Sequence, residues 1–349
     1  VCTWKRGFMD HVIVGNALVN MYSKCGDIEA AGRVFSRMIC RDSVTWNAMI
    51  SGFSHHGLGK ESLGVFHDML EVKVPPDYVT FVGVLSACSH LGRVREGLYY
   101  LDHLMKGMGV EPGLEHHTCI VCLLSRAGRL DDALNFMRHR PVKWDAVAWR
   151  SLLGACYLNR NYGLGRQVAD MVLRVDPEDV GTYILLCNMY AKANRWGEAV
   201  KVRELMSERN IKKEPGVSWI EIRNTTHVFA SGGNEHPDLN EILEMVQVLL
   251  AKIGSLGYAP DVASVVHDVE EEQKEAYLVY HSEKLAIAYG IMKMPLNTPL
   301  RVIKNLRMCE DCHSAAKYIS KIASRVIIVR DANRFHSFRD GCCSCADYW

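Results

Sequence analysis

A histidine, a glutamate and two cysteines near the end of the chain have the spacing of a metal site for hydrolytic chemistry. His281 stands two residues before Glu283, and Cys309 and Cys312 follow at C-x-x-C spacing. Imidazole nitrogen and thiolate sulfur are preferred Zn²⁺ ligands, and three of them leave the fourth tetrahedral position open for water. Bound Zn²⁺ lowers the pKa of that water from ~15.7 toward ~7. Glu283 is placed to carry protons between the water and a leaving group.

Each half of this pattern also has a simpler interpretation. An H-x-E triplet occurs often by chance, and a lone C-x-x-C pair is more often redox-active, structural or part of a helix core. Cys119 and Cys122 have the same spacing inside an apolar run, which predicts helix packing at i, i+3. For the first set, the order of the two half-motifs matches the signature of zinc nucleobase deaminases, so we favour a catalytic zinc site there. One departure is that Met308, not proline, precedes Cys309.

The composition indicates a folded chain of more than one unit. Its 349 residues exceed one ordinary core, so two or three units are expected. Hydrophobic residues make up 48% and charged residues 23%, and no apolar run reaches the ~18 residues of a membrane span. The formal net charge of +1 neither favours nor excludes a nucleic-acid partner. The 13 cysteines lack a disulfide-like arrangement, which favours reduced thiols.

The first part of the chain repeats itself. Gly26, Gly57, Gly92 and Gly128 are separated by 31, 35 and 36 residues, and a large apolar residue follows nine positions after each. The segments on either side of each glycine have helical periodicity. A helix–turn–helix unit of this kind buries its apolar face only by stacking on its neighbours, which predicts a right-handed α-solenoid. The alternating short and long period differs from the constant 34 residues of tetratricopeptide arrays.

Several segments within these repeats resemble the pentatricopeptide repeats of plant organelle RNA-binding proteins, in the subclass with long and short motifs. They are Asn20–Gly26, Trp46–Gly52, Val74–Asp77, Thr80–His90 and Leu123–Leu130. The resemblance covers residues 1–145, with the first repeat partial. Residues 146–212 are similar to the E motifs of the same family, although a simple cap on the solenoid is an equally good interpretation. We expect a longer protein whose targeting segment and further repeats precede Val1.

Residues 213–349 resemble the PG box and DYW deaminase domain of that family, down to the closing tripeptide Asp347-Tyr348-Trp349. The pattern predicts an α/β sheet domain, because strands alternate with helices. In the family, the region between the PG box and H-x-E forms a gating insertion. The predicted elements are strands at Val217–Ile222, Thr226–Phe229, Leu300–Lys304 and Arg325–Arg330, and helices at Leu239–Ile253, from Glu270, around His281 and at Cys309–Ile322.

The resemblance also implies a second zinc site, giving two Zn²⁺ per chain. Its four ligands would close the coordination shell and make the site structural. They are His313, His336, Cys343 and Cys345. The sequence departs from the family at Ser337, where many members have histidine, and at Cys342, which is usually another residue. The alternative is that the cysteines of this segment are surface thiols on a floppy tail.

The resemblance implies a sequence-specific RNA-editing factor of a mitochondrion or chloroplast. The repeats would bind single-stranded RNA, and the zinc domain would deaminate a target cytidine to uridine, without membrane or DNA as a partner and with accessory editing proteins as possible helpers. One alternative is a binding or stabilising protein with a silent deaminase domain. Another is an RNA endonuclease, for which the sequence offers no second acid–base pair. The transcript and the organelle do not follow from the sequence.

In the resembled family, the fifth and last residues of each repeat select one RNA base. With units at 12–42, 43–77, 78–113 and 114–145, the pairs are Asn16/Asp42, Asn47/Asp77, Val82/Gly113 and Thr118/Asp145. Family usage implies a pyrimidine for each Asn/Asp pair and G for Thr/Asp. The Val/Gly pair offers no hydrogen-bonding side chain and should be nearly indifferent. The alternative is that Asn16 and Asn47 hydrogen-bond within their own helices.

Overall fold

A computed structural model describes residues 11–212, 214–230, 236–261 and 278–347. The chain divides into two compact units, one built of helical hairpins and one built around a mixed sheet. The helix start predicted at Glu270 and the last two residues of the closing tripeptide, Tyr348 and Trp349, lie outside the described residues. No described helix combines the length and apolarity needed to cross a membrane. The finer division at residues 145/146 and 212/213 stays a prediction.

The helical unit is a succession of antiparallel helix pairs, so the predicted α-solenoid is confirmed. Its described helices are α1 Val12–Lys24, α2 Ile28–Arg37, α3 Ser43–His55, α4 Gly59–Glu71, α5 Tyr78–Leu91, α6 Val94–Tyr99, α7 Leu114–Arg126, α8 Leu130–His139, α9 Ala146–Leu158, α10 Tyr162–Val175, α11 Val180–Lys192 and α12 Trp196–Glu208. Helix α6 continues through a π-helical segment, Tyr100–Leu104, into a last turn at Met105–Gly107.

The repeated glycines end the first helix of each pair in a left-handed conformation. Their φ angles are 79° at Gly26, 72° at Gly57, 67° at Gly92 and 71° at Gly128. Residues with a Cβ rarely adopt this region, which accounts for glycine at the reversals of these four pairs, whereas Arg160 and Asn194 take positive φ angles of 55° and 56° in the two later ones. The repeat period in the sequence is therefore the spacing of these turns.

One apolar core runs along the helical unit, because each pair buries its face against the next. Phe66 of α4 illustrates how the core continues from one pair to the next. Its ring centroid lies 5.9 Å from that of Phe81 in α5 and 6.0 Å from that of Tyr100. Cys119 and Cys122 of α7 contact the neighbouring helices, with Cys119 Sγ 3.8 Å from a carbonyl oxygen of α5 and Cys122 Sγ 3.3 Å from a hydroxyl of α9. Burial raises the pKa of the Cys119 thiol. These contacts agree with the interpretation of this pair as helix packing.

The second unit contains a six-stranded sheet in the order β2-β1-β3-β4-β5-β6. The strands are β1 Val217–Ile222, β2 Thr225–Ala230, β3 Leu300–Lys304, β4 Ile327–Arg330, β5 Phe335–Arg339 and β6 Cys342–Cys343, and the described helices are α13 Leu239–Gly254, α14 Ser282–Lys293 and α15 Glu310–Ile322. Strands β3 and β4 are parallel and every other pair is antiparallel. The α/β prediction is confirmed, but β5 and β6 were not predicted, and β4 begins two residues later than expected.

Candidate functional site

The N-termini of α14 and α15 bring the first predicted ligand group together. His281 is the N-cap of α14, and Cys309 is the N-cap of α15, where its sulfur accepts the backbone N–H of Cys312 at 3.3 Å. His281 Nδ1 lies 3.4 Å from Cys309 Sγ and 3.3 Å from Cys312 Sγ. The N-terminus of a helix carries partial positive charge, which favours thiolate at these positions.

The ionisation of this group follows from its contacts. Hydrogen bonding with Cys312 and contact with His281 lower the pKa of the Cys309 thiol to about 6, although burial alone would raise it. Burial and the neighbouring Cys309 sulfur raise the pKa of Cys312 well above its usual value. Burial would lower the pKa of His281, but Cys309 and Glu283 outweigh it and raise that pKa. The pair of sulfurs thus shares one readily formed negative charge, which favours a cation at this position.

Glu283 lies in the first turn of α14 and is 1% exposed. Its Oε2 atom contacts Lys304 Nζ at 2.9 Å and accepts the hydroxyl of Ser282 at 3.2 Å. The same hydroxyl accepts a hydrogen bond from Lys304 at 3.2 Å and lies 2.9 Å from Ser218 Oγ. Strands β1 and β3 therefore hold the carboxylate of Glu283 in place, because Ser218 belongs to β1 and Lys304 to β3.

A second buried ion pair joins the two ligand-bearing helices directly. Lys284 Nζ lies 2.6 Å from Asp311 Oδ2, and the two side chains are 3% and 0% exposed. Asp311 Oδ1 also accepts the hydroxyl of Tyr258 at 2.7 Å. Burial would raise the pKa of Asp311, but Lys284 and Tyr258 outweigh it and lower that pKa. Since Lys284 follows Glu283 and Asp311 precedes Cys312, this pair fixes the spacing between the carboxylate and the sulfurs.

The second predicted ligand group forms where α15 meets the last two strands. His313 Nε2 lies 3.2 Å from Cys345 Sγ, and His336 Nδ1 of β5 lies 3.8 Å from Cys343 Sγ of β6. His313 Nδ1 faces Asp347 Oδ1 at 3.8 Å, and Lys317 Nζ holds the other oxygen of Asp347 at 2.5 Å. The segment is therefore an ordered part of this unit, which argues against surface thiols on a floppy tail.

Both groups fit a single Zn²⁺ ion each. In each group the donor atoms all lie within 4.8 Å of one another. Zn–N and Zn–S bonds of about 2.0 and 2.3 Å at tetrahedral angles put ligand atoms roughly 3.5 Å apart. The nitrogen–sulfur distances of 3.2 to 3.8 Å agree with that separation. The first group offers three donors and the second offers four, so only the first leaves a tetrahedral position for water.

The predicted base-reading residues form two hydrogen-bonded pairs in the helical unit. Asn16 Nδ2 donates to Asp42 Oδ1 at 3.1 Å, and Asn47 Nδ2 donates to Asp77 Oδ1 at 2.9 Å and Oδ2 at 3.0 Å. Each Asp also caps the following helix by accepting a backbone N–H. The amides of Asn16 and Asn47 therefore donate to the Asp that ends their own unit and not to a residue of their own helix, which disagrees with the alternative of hydrogen bonds within that helix.

The other two predicted pairs differ from this arrangement. Val82 and Gly113 form no side-chain hydrogen bond with each other, because valine has an apolar side chain and glycine has none. Asp145 Oδ1 caps α9 by accepting the N–H of Ala148 at 2.9 Å. Among the described residues, the buried Thr118 Oγ1 has no hydrogen-bond partner. The structure therefore joins the Asn/Asp pairs and leaves Thr118 and Asp145 unjoined.

Four charged residues that hold the site together were not predicted from the sequence. They are Lys284, Lys304, Asp311 and Asp331, and each is at most 8% exposed. A sequence cue did exist for three of them, because Lys284 and Asp311 adjoin proposed site residues and Lys304 stands among apolar alternating strand residues. Buried charges are rare without a partner, so each implied a partner that only the fold could identify.

Family models match most of the chain in four segments. A model described as the DYW family of nucleic acid deaminases matches residues 257–349, and the E motif matches residues 159–221. The PPR repeat family matches residues 41–90, and the PPR repeat matches residues 16–43. The resemblance predicted from the sequence is thereby confirmed.

Curated relatives align along almost the whole chain. The pentatricopeptide repeat-containing protein At5g39680 of Arabidopsis thaliana is 56% identical over 99% of this chain and 49% of its own length. The mitochondrial pentatricopeptide repeat-containing protein At2g03880 is 46% identical over 97% of this chain and 54% of its own length. The chain thus spans about half the length of these relatives. Among solved structures, the maize pentatricopeptide repeat protein PPR10 covers 88% of this chain and 46% of its own at 16% identity, with a TM-score of 0.48.

Proposed function

We propose that this chain, which belongs to the pentatricopeptide repeat proteins with an E motif and a DYW deaminase domain, edits organellar RNA by converting a cytidine to uridine. The observation that carries the proposal is the group of His281, Cys309 and Cys312, with the buried carboxylate of Glu283 close enough to His281 to help raise its pKa. Zinc nucleobase deaminases use this ligand set with a glutamate that is not a ligand.

The chain's own residues account for the proton movements of a hydrolytic deamination. Water adds its oxygen to the ring carbon that bears the amino group, the carbon–nitrogen bond breaks, and ammonia leaves. Zn²⁺ bound to His281, Cys309 and Cys312 would lower the pKa of water to ~7 and so supply a nucleophile at neutral pH. Glu283 takes one proton from the attacking water through Oε1, because Lys304 and Ser282 engage Oε2, and delivers it to the ring nitrogen, where it stays in the product. It then carries the remaining proton of the added hydroxyl to the amino group, which leaves as ammonia.

Single-stranded RNA is the proposed substrate because its bases need no extraction from a duplex. The Asn16/Asp42 and Asn47/Asp77 pairs offer amide and carboxylate groups of the kind that read Watson–Crick edges, one base for each repeat. A mitochondrion or chloroplast is the proposed location, since relatives are named for one or the other organelle. The second ligand group is proposed to hold a structural Zn²⁺, giving two ions per chain.

The test uses the full chain and a pool of single-stranded RNA in which a fixed cytidine follows a randomised segment. Sequencing after incubation should reveal uridine at the fixed position in a subset of sequences. Unchanged RNA that nevertheless binds would favour a binding protein with a silent domain, and cut RNA would favour an endonuclease. Either result would refute the proposed reaction.

Glu283→Gln sharpens the test, because it should reduce deamination at least ~100-fold while zinc content and RNA affinity stay unchanged. Glutamine is preferable to alanine, since it keeps an oxygen beside Lys304 Nζ. Glu221→Gln is the matched control, because that exposed side chain of β1 takes no part in the site.

A further inference from the structure

One buried carboxylate contacts the supports of both ligand groups. Asp331 follows β4 and is 4% exposed. Its Oδ2 atom accepts the backbone N–H of Met308 at 3.1 Å and lies 3.4 Å from Nε2 of His336. Met308 directly precedes Cys309 of the first group, and His336 belongs to the second. A single oxygen atom therefore contacts both the backbone N–H next to Cys309 and the ring of His336.

Asp331 contacts the ring nitrogen of His336 that faces away from the second ligand group, as a carboxylate does behind a metal-binding histidine. Nδ1 of the ring faces Cys343 Sγ at 3.8 Å, so Nδ1 is the nitrogen directed at the ligand group. With Nδ1 so directed, Nε2 is the nitrogen left to carry the proton, and it lies 3.4 Å from Asp331 Oδ2. A carboxylate behind a ligating histidine fixes the tautomer and the orientation of the ring.

The remaining contacts of Asp331 require a carboxylate at this position. Oδ1 accepts the backbone N–H groups of Asn333 at 2.8 Å and Arg334 at 2.9 Å. Each oxygen therefore faces two N–H groups, since Oδ2 faces those of Met308 and His336. An asparagine would place its NH₂ group against two N–H donors in either orientation of the amide. Asparagine, the neutral residue of the same shape, would therefore lose the hydrogen-bond acceptor on one side of the group.

The residue before Cys309 is part of the same arrangement. The general deaminase signature has proline there, and proline has no backbone N–H. This chain has Met308, whose N–H is the donor to Asp331. Because methionine replaces proline here, the residue before Cys309 can donate a hydrogen bond to Asp331, which also contacts His336 of the second group.

We propose that Asp331 is a positioning residue shared by the two metal groups, which holds Cys309 through the Met308 peptide and holds His336 through its outer nitrogen. The proposal rests on the proposed function in assuming that both groups bind zinc. Loss of the carboxylate should loosen both groups at once, and loss of the Met308 N–H should loosen only the first.

The experiment follows zinc release from the full zinc-loaded chain to a chromophoric chelator. Wild-type protein should release two ions in two phases, and Cys343→Ser should remove the phase of the second group. Asp331→Asn should accelerate both phases about 10-fold and lower kcat on edited RNA while the Kd for that RNA stays unchanged. Asp179→Asn is the control, because Asp179 is a buried carboxylate that caps α11 in the helical unit. It should leave both phases unchanged.

A second pair of variants covers the case in which Asp331→Asn does not fold. Met308→Pro should accelerate the first-group phase alone, and Met308→Leu, which keeps the N–H, should not. Unchanged release in Asp331→Asn, acceleration of one phase only in that variant, or equal behaviour of Met308→Pro and Met308→Leu would overturn the shared role. Two zinc ions without deamination would instead refute only the proposed reaction, and a wild-type chain without zinc would refute both.

Discussion

Lys304 Nζ lies 2.9 Å from Oε2 of Glu283, with side-chain exposures of 7% and 1%. This pair connects the end of β3 to the first turn of α14, so an ammonium group holds the proposed proton carrier. Taking two charges out of water costs several kcal/mol for each ion, and their mutual attraction offsets that cost together with the hydrogen bonds of Ser282. Each member is therefore expected to depend on the other.

Replacing Lys304 by Met should destabilise the sheet unit and abolish deamination. The substitution leaves the carboxylate of Glu283 buried with hydroxyl contacts alone, and breaking one side of a buried pair costs about 3–5 kcal/mol. Urea unfolding followed by circular dichroism measures the loss, and the RNA assay measures the activity.

Two further variants test whether the effect belongs to the pair. Glu283→Gln combined with Lys304→Met removes both charges and should recover a large part of the lost stability without restoring activity. Lys252→Met changes an exposed lysine of α13 and should alter stability by less than about 0.5 kcal/mol. If the double variant is as unstable as the sum of the single ones, the pairing does not stabilise the fold.

The Cys309 thiol should ionise at unusually low pH in metal-free protein. Its pKa is lowered to about 6 by hydrogen bonding with Cys312 and by His281, whereas an ordinary cysteine has a pKa near ~8.5. Alkylation of Cys309 by iodoacetamide should therefore rise as the pH increases through about 6 and level off above it, because only the thiolate reacts. Mass spectrometry after digestion gives the rate at this residue. A half-maximal rate near pH 8.5, or no protection by added zinc, would contradict the ligand group.

Zinc content should distinguish two neighbouring cysteines of the last strand. Cys343→Ser removes a proposed ligand of the second group and should reduce zinc from about two ions per chain to about one, together with stability. Cys342→Ser changes an exposed thiol that is outside the group and should keep both ions. Equal zinc content in the two variants would show that Cys343 is not a ligand.

Residue type and spacing predicted the first ligand group, whereas the second was predicted only from the resemblance to the family, and the fold brings the donors of each group together. The partners of the buried charges were not predictable in this way. Lys284 pairs with Asp311 across 27 positions and Lys304 with Glu283 across 21, and neither distance follows a helical or strand period. Tertiary packing alone selects these partners.

The last strands show a second limit of the sequence pattern. Strand β6 has only two residues, too few to display an alternation. Strand β4 begins at Ile327 and not at Arg325, because the guanidinium of Arg325 donates to the carbonyl oxygens of Thr298, Met294 and Pro295. Ser324 has a φ of 45°, so the chain turns directly before this arginine.

The last prediction concerns the base that faces the Asn47/Asp77 pair. The amide of Asn47 donates to both oxygens of Asp77, and its Oδ1 accepts the hydroxyl of Thr80 at 2.6 Å. Asn47→Thr replaces the amide by a single hydroxyl and leaves Asp77 as the cap of α5, where it accepts the N–H of Thr80 at 2.9 Å. The helix start is therefore preserved while the groups offered to a base change. Selection from a randomised single-stranded RNA pool should shift from a pyrimidine toward a purine at one position only, with affinity for unrelated RNA nearly constant.

Two further variants serve as controls for this shift. Asn16→Thr should shift the base preference at the adjacent RNA position in the same direction. Asn20→Thr changes an exposed asparagine of α1, the helix that also carries Asn16, and should shift no position. A uniform loss of binding to all sequences in Asn47→Thr would show that the pair is structural and reads no base.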